Sequence, residues 1–199
     1  MMHLLEGAGQ LNGAGYHSVA TVLFRPIEDT FDCFAAVGLI EGAAGKWWNR
    51  ELRPSDAAKM WVQAMSEEEF QFAYGVTTLA EYRKVLRSQF NEYSHCSPAL
   101  TQLNLYYMPR NAKGGTMELN CDPQVIDANA HGIDAHLTTC LQEFIDMVAR
   151  VFAEHFKNNI VTRSKLAALR EEIDVILKRH QKHGCFDVLG AVELKRFEA

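Results

Sequence analysis

Residues 91–98, N-E-Y-S-H-C-S-P, crowd five side chains able to do chemistry into consecutive positions: Tyr93, Ser94, His95, Cys96 and Ser97. A hydroxyl beside an imidazole supplies the parts of a nucleophile and its base. Neighbours on a helix point about 100° apart, however, and no third group to orient His95 is visible. The segment ends a long helical stretch and is closed by Pro98. Its polar side chains are therefore suited to meeting unpaired backbone carbonyls or to lining a pocket.

A second constellation is the stripe Thr21, Arg25, Glu28/Asp29 and Asp32, which recurs at helical intervals. On a solvated face, Arg25 and Asp29 would pair four residues apart, worth a few tenths of a kcal/mol. Inside a bundle, Arg25 would have to be paired and could hold an anion through two parallel hydrogen bonds. Pro26 favours the second arrangement, because it frees a backbone carbonyl near Val22 that needs a partner. Arg25, Glu28, Tyr93, Ser94 and His95 are thus the candidate ligand-binding residues, converging on a small anionic ligand.

Two further patterns point to other chemistry. Asp127 and His131 lie four apart and share a helix face, which suits metal ligation from a bundle helix, with Asp134, His136 and Cys140 beyond. Arg150 and His155 form an R-x4-H string, the ribonuclease signature of the HEPN superfamily (higher eukaryote and prokaryote nucleotide-binding domains). With 8 His in the chain, such a spacing arises readily by chance. Asp146, Arg150 and Glu154 also form an i, i+4 ladder of the kind found on solvated faces, and His155 lies about 140° round the helix from Arg150. Val151 stands where that family usually has a polar residue.

The blocks G-Y-H-S-V-A-T-V-L-F-R-P-I-E (residues 15–28) and F-N-E-Y-S-H-C-S-P (residues 90–98) resemble a loose set of bacterial helical proteins, related at a distance to HEPN-type bundles. In that set the first core helix carries an L-x-R-x-x-x-E-like pattern, with the acid here at Glu28 or Asp29. The second block is similar to a Y-x-x-S-x-x-x-H-like helix end, with His95 directly after Ser94. The resemblance covers about half the chain and implies a fold, not a reaction.

These residues must be positioned by helices. Apolar side chains fall at helical spacing from residue 3 to 11, from His17 to Ile40 around Pro26, and from Pro54 to Met65. Gly13 and Gly15 interrupt the first, and a Gly- and Ala-rich break with Trp47 and Trp48 follows the second. Pro26 predicts either a kink or a restart with the proline in the first turn. Ser66 offers a second start after Met65, and Thr78 to Glu81 has capping-box spacing before a helix reaching Phe90. Asp122 and Pro123 start another, with Gly132 a weak point. The pattern Leu141, Phe144/Ile145, Val148, Val151/Phe152 continues it to about residue 156. Asn158 and Asn159 end it, and Thr162 is expected to cap a last long helix with Leu166, Leu169, Ile173 and Ile176/Leu177 inward.

Only residues 103–108 and 116–121 alternate apolar and polar, which predicts a hairpin at about 103–121. Two strands alone are marginal, so the hairpin must lie on helices or gain a strand from the tail, 184–199. The fold class expected is mainly α: one domain over 1–199, a helical bundle of five or six helices with one inserted β-hairpin.

The composition sets the outer limits. The 199 residues are 48% hydrophobic and 23% charged, in the range of a folded globular domain. A net charge of −5 weighs against a dedicated nucleic-acid binder, although residues 157–183 carry seven Lys/Arg against three acids. No apolar run is long enough to cross a bilayer, and the first 15 residues lack a signal-peptide pattern. Five scattered cysteines without a C-x-x-C pair fit reduced thiols in a cytoplasmic setting.

The function expected is a binding or regulatory module, working as a homodimer on a small anionic ligand or a protein partner. No cofactor and no membrane contact are expected. The alternatives are a HEPN-like ribonuclease of a phage-defence or toxin system and a metal-dependent bundle.

Overall fold

The computed structural model describes residues 1–65, 78–94, 127–157 and 159–182. Every regular element among them is an α-helix, so the mainly helical bundle is borne out. The hairpin expected at about 103–121 and the tail 184–199 lie outside the described residues.

Helix α1 (Met2–Gly13) buries Leu5, Ala8 and Asn12, one inward stripe at intervals of three and four. Gly15, at a φ of 84°, turns the chain into α2 (His17–Val22). Only glycine adopts that backbone without strain. Helix α3 (Phe24–Leu39) begins across Leu23. Of the two outcomes open to Pro26, the helix takes the restart. Pro26 stands third in α3, where its missing N–H would have had no helical partner.

The Gly- and Ala-rich stretch expected as a break holds a short helix, α4 (Ala43–Trp48), entered through Gly42 at a φ of 77°. Pro54 opens α5 (Pro54–Ala64), with Asp56 in its first turn, where a negative charge suits the helix dipole. Thr78 caps α6 (Leu79–Ser94) as its spacing predicted, its Oγ1 accepting the Glu81 N–H at 3.1 Å. Helix α7 (Asp127–Val151) runs through Gly132 without a break and ends in a turn at Phe152, before α8 (Ala153–Lys157). The last helix, α9 (Ile160–Lys182), is capped by Asn159 and not by Thr162: Asn159 Oδ1 accepts the Thr162 N–H at 3.0 Å. The breaks at Leu23 and Phe152, with α4, make more helical segments than the five or six expected.

Helix α3 is the central element, packed against α5, α6 and α7, while α9 lies along α7 and α8. Two apolar clusters flank its middle. One joins Leu5, Ala20, Phe24, Ile27, Leu86, Phe90, Ile133 and Leu137. The other joins Phe31, Ala35, Ala57, Trp61, Leu79 and Met147. A Cβ added at Gly38 would stand 2.5 Å from Cγ2 of Val151, so α3 meets the end of α7 at a distance only glycine allows. No helix among the described residues is long and apolar enough to cross a membrane.

A compact polar clamp closes the α1 end. Asn12 is fully buried, and its Nδ2 donates to the Ala130 carbonyl at 2.9 Å and to Asp134 Oδ1 at 2.7 Å. Its Oδ1 can only accept, so His17 Nδ1, 2.6 Å away, carries the proton between them. Every polar atom of the Asn12 side chain is thereby bonded.

Candidate functional site

Between the two apolar clusters, charged residues occupy core positions. On α6, Leu79, Arg83, Leu86 and Phe90 follow the 4-3-4 spacing of a single inward face, and all four are buried. On α3, Phe24, Glu28, Phe31 and Ala35 repeat that spacing, with Asp32 beside Glu28 and equally buried. On α7, Glu143 falls between the buried Cys140 and Met147. Three helices thus bring their charges to one layer.

Arg83 is its centre. Its Nη2 pairs with Glu28 and lies 2.7 Å from Asp32 Oδ1, while Nη1 stands 3.6 Å from Glu143. The guanidinium carbon sits 5.0 Å from the Phe31 ring centroid and 5.4 Å from that of Trp61, close enough for both rings to favour the cation. Asp32 is held from three sides: by Arg83, by Arg87 at 2.6 Å and by the Trp61 indole N–H at 2.9 Å. Arg87 also donates to the Pro54 carbonyl, fixing the start of α5 to the layer. The Tyr82 hydroxyl donates to Glu143 at 2.7 Å.

Burial and charge work against each other here. Burial opposes the charge on Arg83, but Glu28, Asp32 and Glu143 more than offset it and hold the guanidinium firmly protonated. Burial, helped by Glu143 and Asp32 and opposed by Arg83, pushes the Glu28 carboxyl up to about 7. Glu143 is likewise raised by burial, against the pull of Arg83 and the Tyr82 hydrogen bond. Burial, and then the nearby Glu28, hold the Cys140 thiol well above its usual range. That thiol touches Glu28 at 3.6 Å and is not a nucleophile near neutrality.

The ionic layer forms one wall of a cavity of about 930 Å³. Phe31, Trp61 and Leu79 give it an apolar side, while Tyr82, Arg83, Glu143, Asp146, Arg150 and Arg170 give it a polar one. Asp146 and Arg170 are paired across it at 2.5 Å. Arg83 is 4% exposed, yet its Nε and Nη1 have no hydrogen-bond partner among the described residues. Buried donors left unbonded are costly. The size of the cavity suits a small molecule.

The residues singled out from sequence fare unequally. Glu28 is buried, as the inward reading of its stripe required, but its partner is Arg83. Arg25 keeps 23% of its side chain exposed and pairs with Asp29 at 3.1 Å. Arg25 and Glu28 thus pair with different residues. The backbone of Tyr93 and Ser94 ends α6, but their side chains and all of His95 lie outside the described residues, so their convergence with Arg25 does too.

Asp127 opens α7 with its side chain also outside them, and His131 is half-buried on the same helix. Asp134 serves Asn12, and His136 is wedged between Phe24 and Phe90 at 4.6 and 4.9 Å, its pKa lowered by burial to about 4. Among the described residues no three His, Cys, Asp or Glu side chains are grouped to hold a metal.

Arg150 lines the cavity at the end of α7, while His155 is exposed on α8, beyond the turn at Phe152. Asp146 pairs across to Arg170 on α9, and Glu154 pairs with Lys157 at 3.7 Å.

Arg83, Arg87, Tyr82, Trp61 and Glu143 were not singled out from sequence. The signal available was a charged residue at an inward 4-3-4 position, which Arg83 shows between Leu79 and Leu86. The chain matches no family model, no curated protein and no solved structure.

Proposed function

We propose that this chain is a binding module for a small organic anion, held in the cavity between α5, α6, α7 and α9 with its negative group at Arg83. The observation that supports this reading is a buried guanidinium, with two donors unbonded among the described residues, beside a cavity of about 930 Å³. The apolar side formed by Phe31, Trp61 and Leu79 favours a ligand with a hydrophobic body behind its anionic group. Arg150 also lines the cavity.

Benzoate, a carboxylate on an apolar ring, is a suitable probe. Trp61 lies in the wall, so its fluorescence should change saturably as benzoate is added, with heat of binding over the same concentration range. Ala149 also lines the cavity, and Ala149→Phe, which places a ring in that space from α7, should abolish both signals. A linear, unsaturable response, or one unchanged by that substitution, overturns the proposal.

A ribonuclease built on Arg150 and His155 is the second reading, favoured by the position of Arg150 in the cavity wall. Its test is cleavage of single-stranded RNA by the native chain beside Arg150→Ala and His155→Ala. Cleavage absent, or unchanged in both variants, removes it.

A further inference from the structure

Helix α9 is covered along one side only. Ile173 is buried, and Leu166 and Leu177 half-buried, along the side from which Arg170 reaches Asp146 on α7. Leu169 and Ile176 have the spacing of inward residues, yet they are 37% and 39% exposed. Val161, Val175 and Ala168 are exposed as well. These five fall within an arc of about 120° on the helix, beside the packed side. Ile176 also lines an apolar groove of about 550 Å³ with Met2, Leu5, Leu137 and Leu141. The exposed face is therefore continuous with apolar side chains of α1 and α7. Apolar residues scattered singly on a surface are ordinary, but a contiguous set marks a contact.

Two charges stand inside the same arc, Lys165 and Glu172, both exposed. Neither can pair along its own helix, where partners lie three or four residues away. Those positions around Lys165 hold Val161, Thr162, Ala168 and Leu169, and around Glu172 they hold Ala168, Leu169, Val175 and Ile176. Charges elsewhere on α9 are matched: Lys178 pairs with Asp174 at 2.6 Å, and Arg170 with Asp146. Among the described residues, Lys165 and Glu172 have no ion-pair partner. The face thus offers one cation and one anion about 10.5 Å apart along the axis, set among apolar side chains.

We propose that this face receives α9 of a second copy of the chain, the two helices running antiparallel about a twofold axis near Ala168 and Leu169. Charge complementarity selects that occupant and that direction. With the axis there, Lys165 meets Glu172 of the partner subunit, and Glu172 meets the partner's Lys165. The same register sets Val161 against the partner's Ile176 and Ala168 against the partner's Leu169, so apolar groups meet apolar groups. A parallel pair would bring Lys165 to Lys165 and Glu172 to Glu172, which repel. One patch that complements itself is what a twofold dimer needs. The homodimer expected from sequence thereby acquires a definite surface. That surface spans about 24 Å of helix, from Val161 to Ile176. An interface of this length is small, so the association is reversible and depends on concentration.

Sedimentation velocity of the full chain, from about 1 to about 200 µM, reads the association directly. The mean mass should rise with concentration from that of one chain towards that of two. Lys165→Glu and Glu172→Lys each place like charges across the axis, and each should raise the dissociation constant at least about tenfold. Mixed in equal amounts, the two variants regain opposite charges at both contacts and should dimerise as the native chain does. Leu169→Glu, which puts a charge at the axis, should remain a single chain throughout. All three positions are exposed, so the variants should keep the native helical content by circular dichroism. If Leu169→Glu loses it, the two charge variants and their mixture decide. A native chain that keeps the mass of one copy across the range overturns the proposal. So does a dimer that both charge variants leave equally strong, or a mixture no stronger than either variant alone.

Discussion

Two buried polar clusters in one bundle have opposite characters. At Asn12, three hydrogen bonds to Ala130, Asp134 and His17 use every polar atom of the amide side chain. At Arg83, three acids and two aromatic rings surround a guanidinium that still has two nitrogens unbonded among the described residues. The first cluster ties α1 and α2 to α7 and leaves nothing to recruit. The second ties α3, α6 and α7 together beside a cavity and leaves two donors unbonded among the described residues. Completeness separates the clamp from the proposed site.

The sharpest way to break that contrast is to remove the centre of the second cluster. Arg83→Met keeps much of the side-chain volume but leaves Glu28 buried without its cation and Asp32 with Arg87 alone. Urea denaturation should show a loss of about 3–5 kcal/mol. A loss below about 1 kcal/mol would mean that solvent screens the layer as it does surface pairs.

Asn12→Ala removes the clamp and its three hydrogen bonds, to Asp134, the Ala130 carbonyl and His17. It should cost about 1–3 kcal/mol in the same assay. Benzoate binding by the folded variant should be unchanged, and a weaker affinity would dissolve the division between the two clusters.

The smallest effect belongs to Arg25→Ala. Its half-buried pair with Asp29 should be worth about 1 kcal/mol or less. A loss comparable with that of Arg83→Met would place Arg25 inside the network and restore the anion site expected there.

Much of the helical plan was legible because periodicity is a local signal. Pro26, Pro54 and the Thr78–Glu81 pair mark helix starts that the structure retains, since caps and proline act within a single turn. Asn159 against Thr162 shows the limit: two capping residues three apart compete, and which one stands outside the helix depends on where α8 stops.

The site was half legible. Glu28 and Asp32 belong to a stripe visible in sequence, but a stripe does not say what faces it. Arg83 lies 51 positions from Asp32 in the chain, and Glu143 is 61 from Tyr82. Only the packing of α6 and α7 on α3 brings these together. Arg25, near in sequence, pairs with Asp29 as the i, i+4 spacing allows, while Glu28 is paired from another helix.

The glycine at position 38 has an evolutionary corollary. Because its missing side chain is the space that Val151 fills, the two positions form one volume shared between α3 and α7. A chain descended from this fold could enlarge residue 38 only after shrinking residue 151, or by drawing the end of α7 away and taking Arg150 with it. Drift at a position with no polar atom would then reshape the rim of the cavity.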